Sequence, residues 1–183
     1  YYERAKAYIK DFKIGDEVLV MNPGNGGLLF ELNKDKRVSY YEQRDAYKFT
    51  VAKILAISET DIKSVTPDSL NSYDTIIWSE GFEELKDPLI VFDKVISALR
   101  PEGTLYIEIT HGEQTSFIGN SVRPKEEIFQ VMLRSKKLKF STEPGRFERR
   151  VIYTISHPSV ENPINPIVED MKIREKRKSK KAS

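Results

Sequence analysis

The sequence predicts an α/β fold, a doubly wound and mostly parallel sheet with helices on both faces, from three observations. Strand-like and helix-like apolar patterns alternate through the first 110 residues and are joined by short loops. That order demands right-handed crossovers and puts helices on both faces of a parallel sheet. Residues 17–21 are a nearly unbroken apolar run, the mark of a strand covered on both sides. Residues 138–156 then read as two strands around a Glu-Pro-Gly-Arg turn, so the sheet ends in an antiparallel pair.

The elements follow in order. Residues 2–12 place Ala5, Tyr8, Ile9 and Phe12 on one helical face, and Ile14-Gly15-Asp16 makes a turn into the first strand. Asn22-Pro23-Gly24-Asn25-Gly26-Gly27 follows that strand. Three glycines over four positions free the backbone and let a ligand approach it, although the same residues also serve a plain turn. Leu28, Leu29 and Leu32 form a short helix, and Asn33 to Lys36 break it.

Residues 38–42 are a second strand ending in Glu42, about fifteen residues past the glycines. A carboxylate at the tip of the second strand accepts hydrogen bonds from ribose hydroxyls in nucleotide-binding βαβ units; the plain alternative is a solvated strand end. A helix is expected over 44–55 with Tyr47, Val51, Ile54 and Leu55 inward, then a third strand at 56–58 followed by Asp61 and a polar stretch with Pro67, Asp68 and Asn71.

Residues 73–78 are a fourth strand and 79–85 the loop at its carboxyl end. Asp87 and Pro88 open a helix carrying Leu89, Phe92, Val95, Ile96 and Leu99, which stops at Arg100-Pro101-Glu102-Gly103. Residues 104–109 are a fifth strand, and His111 follows it. Pro124 to Ser135 is a helix with Ile128, Val131 and Met132 apolar and Leu133 beside them, ahead of the hairpin strands at 138–142 and 149–156. The glycine turn, Glu42, Asp61 and Ser79-Glu80 all fall at strand ends where ligands of such sheets bind.

Composition narrows the function classes. With 39% hydrophobic and 32% charged residues and no apolar run near the ~18 needed to cross a bilayer, no membrane insertion is expected. There is no cysteine, and the two histidines lack a metal-ligand spacing, so no metal site is expected. The cytoplasm is the expected compartment, since the first residues lack the order of a secretory signal. Net charge is +2 over the chain; residues 158–183 hold seven Lys/Arg and four Asp/Glu, leaving 23 and 24 elsewhere. The body is nearly neutral. After Asn162-Pro163 and Asn165-Pro166, the run from Lys172 to Lys181 makes a basic tail that is extended or solvated and a candidate contact for an anionic partner.

Taken together, residues 5–157 resemble the class I S-adenosylmethionine-dependent methyltransferases, in the branch that acts on small molecules. The resemblance rests on Val18 to Gly27 and on the block from Tyr73-Asp74-Thr75-Ile76-Ile77-Trp78-Ser79-Glu80 through Asp87-Pro88 to Pro101-Glu102-Gly103-Thr104-Leu105. It implies a Rossmann-like, seven-stranded sheet with one antiparallel strand, a methyltransferase-like domain over 1–157 and a tail over 158–183.

It further implies that Gly24, Gly26 and Gly27 lie against the cofactor's methionine and ribose, that Glu42 holds the ribose hydroxyls, that Asp61 and Ile62 border the adenine, and that Ser79 and Glu80 line the approach to the methyl group. Glu80, Glu83 and His111 are candidate bases by location. The acceptor pocket is expected from residues 112–123 and from the segment before residue 12.

Three positions depart from the family pattern. Val20 stands where an acid is usual, Asn22 where the first glycine is usual, and Glu84 where many members have histidine. The expected activity is methyl transfer to a small-molecule or macromolecular acceptor. The alternative is a binding or scaffold subunit without turnover, anchored by its tail to nucleic acid or a protein assembly. A nicotinamide-dependent oxidoreductase fits the glycine turn and Glu42 but not the block from Tyr73 to Leu105. The missing Asn-Pro-Pro or Asp-Pro-Pro after the fourth strand argues against nucleobase amino groups as acceptors.

Overall fold

Apolar side chains on both faces of the central strands set the architecture. Val18 and Val20 of the first strand face one way and Leu19 and Met21 the other, and all four are fully buried. The computed structural model describes residues 2–57, 62–70, 72–79, 81–85, 87–112, 124–145 and 150–157. In order the elements are α1 (Tyr2–Ile9), β1 (Glu17–Met21), α2 (Gly27–Leu32), β2 (Arg37–Tyr41), α3 (Asp45–Ile57), β3 (Lys63–Ser64), β4 (Tyr73–Trp78), α4 (Pro88–Ser97), β5 (Leu99–Thr110), α5 (Glu126–Ser135), β6 (Lys139–Pro144) and β7 (Arg150–Ser156).

The seven strands lie in the order β3-β2-β1-β4-β5-β7-β6. β1 to β5 pair in parallel, and β7 runs antiparallel to both β5 and β6. The doubly wound α/β sheet with a single antiparallel strand is therefore the fold. The order reverses between β1 and β4, which opens a crevice beyond their carboxyl ends.

Each face has its own core. Tyr8 of α1, Leu28, Leu29 and Leu32 of α2, and Val51 and Leu55 of α3 cover Val18, Val20, Val38, Tyr40 and Ile77. Phe92 of α4 and Phe129 and Leu133 of α5 cover Leu19, Met21, Ile76, Trp78, Leu105 and Tyr153. On this second face Phe82, Phe92, Phe129 and Tyr153 meet edge to face at centroid distances of 4.8–6.2 Å, the arrangement aromatic quadrupoles favour. Phe12 stacks on Tyr106 at 4.0 Å, and the Tyr106 Oη accepts the Lys13 N–H, so the chain before β1 is pinned to β5. Among the described residues no helix is long and apolar enough to cross a membrane, and no cluster suited to a metal ion occurs.

Several sequence expectations are corrected. The third strand is Lys63–Ser64, because α3 continues through Ala56 to Ile57. Tyr47 is 40% exposed, turned outward beneath Arg44, and Leu89 and Val131 are also exposed. In α5 the buried stripe is Phe129 and Leu133, an i, i+4 pair. Leu99 belongs to β5 because α4 ends at Ser97. β5 takes up Arg100 to Gly103 as a bulge, with Glu102 at φ 66.

The amino end of the sheet is held by Asp74. Its carboxylate accepts the Glu17 and Asp16 N–H groups at 2.9 and 3.1 Å and the Arg100 Nη1 at 2.8 Å. Gly15 is required beside it: a Cβ there would lie 2.4 Å from the Asp74 Cβ. The Glu17 N–H, then Arg100, hold the Asp74 carboxyl below the ordinary carboxylate range. Such a group stabilises the fold fully above its unfolded pKa of about 3.9, and the contribution is lost as pH falls through the lower folded value. Asp74→Asn is expected to cost about 1–2 kcal/mol at pH 7 and much less at pH 2.5 in urea unfolding. An equal loss at both pH values would refute the charge-based role.

Candidate functional site

At the opposite end of the sheet, three loops meet beyond β1, β2 and β4. Asn22 leaves β1 in the left-handed region at φ 51, with Gly24 at φ 58 and Gly26 at φ 77 behind it. Asparagine is among the few non-glycine residues that tolerate this conformation. It therefore supplies the backbone the expected glycine would, and the departure at this position leaves the turn intact. Asn22 is buried; its N–H donates to the Tyr41 carbonyl and its Oδ1 accepts the Gln43 N–H at 3.3 Å. Gln43 Nε2 donates to the Gly81 carbonyl at 3.2 Å. Gly81 itself has φ 81, and a Cβ there would sit 2.6 Å from Asn22 Nδ2. The turns after β1, β2 and β4 thus form one stitched rim.

Glu42 stands at the centre of that rim. Its side chain is completely buried, which overturns the solvated strand end. Oε2 accepts the Gly24 N–H at 3.1 Å and Arg44 Nη2 at 3.2 Å; Oε1 accepts the Arg44 N–H at 3.0 Å and Nε at 2.9 Å. Burial pulls the Arg44 guanidinium down, but the Glu42 carboxylate outweighs it and holds the group above its ordinary value. The sequence pattern gives no reason to single out Arg44, Gln43 or Gly81: Arg44 acts on its near neighbour Glu42, and Gln43 and Gly81 act through contacts between loops.

The glycine turn remains open to a ligand. Among the described residues, a Cβ on Gly24 would meet only Arg44 Nη2, and one on Gly26 only the Phe30 ring, both at 3.8 Å. The left-handed backbone, rather than lack of space, is what favours glycine there. Gly27 starts α2 and donates its N–H to Asn25 Oδ1 at 3.2 Å. A ligand with a ribose and a chain running along the turn would use such an open turn and a carboxylate beside it; in this structure the Glu42 oxygens are bonded to Gly24 and Arg44.

The other expected site residues divide. Ser79 follows β4 on the rim and is half-buried. Glu80 and Asp61 lie outside the described residues, as do 113–123 of the expected acceptor pocket and the tail at 158–183. Ile62 is at the amino end of β3, buried in the α1–α3 core, and is not brought to the rim. The residues leaving β3 toward the rim are Val65, whose N–H donates to the Tyr40 carbonyl, and Thr66. Val20 is fully buried in the same core and offers the rim no charge.

Of the candidate bases, Glu83 is half-buried in the β4 loop, and its Oε2 is enclosed with no hydrogen-bond partner among the described residues. His111 is buried and engaged on both ring nitrogens: Nδ1 lies 2.9 Å from the Pro124 carbonyl and Nε2 2.8 Å from the Tyr153 hydroxyl. A carbonyl only accepts, so Nδ1 donates to Pro124, while Nε2 shares a hydrogen bond with the Tyr153 hydroxyl, whose titration burial pushes up. His111 therefore ties the end of β5 to Pro124 and to Tyr153 of β7.

The fold has well-characterised counterparts. The glycopeptide N-methyltransferase MtfA, solved with (S)-adenosyl-L-methionine, superposes with a TM-score of 0.63 at 14% identity over 86% of this chain and 87% of its own. An S-adenosylmethionine-dependent methyltransferase from Clostridium acetobutylicum gives 0.67 at 12% over 86% and 92%, and the [4+2]-cyclase SpnF 0.66 at 12% over 86% and 81%. No protein-family model and no curated protein sequence matches the chain. At these identities what is shared is the fold, the one implied by the methyltransferase resemblance of the sequence.

The rim makes a quantitative demand on Asn22. Asn22→Ala is expected to lose about 2 kcal/mol in urea unfolding, from left-handed strain and the lost bond to Gln43, and Asn22→Gly clearly less. Equal losses in the two variants would show that the backbone conformation is not what asparagine provides.

Proposed function

We propose that this chain binds S-adenosylmethionine at the rim and transfers its methyl group to an acceptor. The observation that carries the reading is the buried Glu42 carboxylate bonded to the Gly24 N–H, which sets a ribose-type acceptor against an open left-handed turn. MtfA, of the same fold, was solved with (S)-adenosyl-L-methionine, and also with (S)-adenosyl-L-homocysteine. Gly24, Gly26 and Gly27 would lie along the cofactor's methionine and ribose, Glu42 would take the hydroxyls, and Ser79 with Glu80 would border the reacting end. The cofactor, when bound, supplies an activated methyl group on a sulfonium. The protein's part is to align the acceptor in line with the sulfur–methyl bond and to exclude water. The enclosed Glu83 carboxylate is the described candidate to hold a proton from a hydroxyl or ammonium acceptor.

Val20 lowers the expected affinity. A missing charge-assisted hydrogen bond costs about 1.5–3 kcal/mol, or roughly ten- to a hundredfold. SpnF, a cyclase on the same fold, is a reminder that activity follows the site and not the fold.

Calorimetry with S-adenosylmethionine tests the reading. Binding is expected in the tens to hundreds of micromolar, lost in Gly26→Arg, whose left-handed φ and open face would be filled. No heat at millimolar cofactor with the folded wild type would overturn the proposal.

A further inference from the structure

The carboxylate that would receive the ribose is already filled. A carboxylate offers about four acceptor positions, and Glu42 uses them on the Gly24 N–H and on the Arg44 N–H, Nε and Nη2. Two of these donors are backbone groups fixed by the turn and by the start of α3. The other two belong to a guanidinium at the mouth of the site, 20% exposed, whose face lies 4.2 Å from the Tyr47 ring. The Glu84 carboxylate, on the loop after β4, acts on the same guanidinium.

We propose that Arg44 is a displaceable latch on the nucleoside site, competing with the ribose hydroxyls for Glu42 and swinging off it when a nucleoside-bearing ligand binds. The inference rests on the cofactor reading above. Release leaves no buried group unpaired: Glu42 keeps both backbone donors and exchanges two N–H donors for two O–H donors. The guanidinium moves toward solvent, where Tyr47 and Glu84 receive it. Charge-assisted, forked hydrogen bonds are stronger than those from hydroxyls. The wild type therefore spends part of its intrinsic affinity on opening the pair, as any site does whose competent form is a minor population.

The test is titration of S-adenosylhomocysteine into the wild type, Arg44→Ala and Arg44→Gln, with urea unfolding of each protein alone. Both variants are expected to bind about tenfold tighter than the wild type while unfolding at lower urea, since a buried carboxylate has lost its counter-ion. Equal or weaker binding by a folded variant, alongside measurable binding by the wild type, overturns the latch and leaves the cofactor reading standing. No binding by any of the three at millimolar ligand overturns both. A second readout needs no variant: the Arg44 Nε–H proton of the ¹⁵N-labelled wild type is expected to lose its protection from exchange on saturation with ligand. Retained protection at saturation overturns the latch.

Discussion

Burying the Glu42 carboxylate is the constraint from which the rest of the rim follows. An ionised carboxylate without solvent is tolerated only when its oxygens are bonded, so the chain must bring donors to it. Gly24 supplies one from the turn after β1, and Arg44 supplies three from the approach to α3. The turn can present its N–H because Asn22 and Gly24 take left-handed dihedrals as the chain leaves a doubly covered strand. A single charge thereby locks two loops into one geometry, and Asn22 with Gln43 and Gly81 extends the lock to a third.

The two ends of the sheet are built differently. At the amino end Asp74, Arg100 and Gly15 close the loop into β1 on the edge of a parallel strand pair. At the carboxyl end the reversal between β1 and β4 leaves room beyond the strands, and there the backbone is left-handed and the polar groups are gathered. The aromatic cluster of Phe82, Phe92, Phe129 and Tyr153 lies on the second face. It holds Phe82 of the loop after β4 and, through Tyr153, His111 at the end of β5. His111 is thus held by packing against Tyr153 and by bonds on both ring nitrogens.

Much of this was legible in the residues. Continuous apolar strands, Asp87-Pro88 before a helix and the Glu-Pro-Gly-Arg turn each carry local signals, and the parallel sheet and its final hairpin follow from them; the order of the strands rests on contacts between elements distant in the chain. The position of Glu42 was legible because strand ends obey the pattern; its burial was not, since that depends on Arg44 and on a backbone amide eighteen residues earlier. The third strand is not legible in the sequence, because two residues give no periodicity and α3 runs on through Ala56. Ile62, at its amino end, lies off the rim. Spacing alone puts Tyr47 inward, but it lies outward with the Arg44 guanidinium over its ring.

The central claim is that the Asn22–Gly27 turn and Glu42 are the docking point of an S-adenosyl ligand. Amide chemical-shift mapping tests it most directly, because the Gly24 N–H donates into the carboxylate the ligand would engage. Titration with S-adenosylhomocysteine is expected to move the Gly24, Gly26, Gly27, Glu42 and Gln43 amides along one saturating isotherm. The Glu17 amide, bonded to Asp74 at the far end of the sheet, is expected to stay still. Saturable shifts confined to the Asp74 end, or none at millimolar ligand, would contradict the claim.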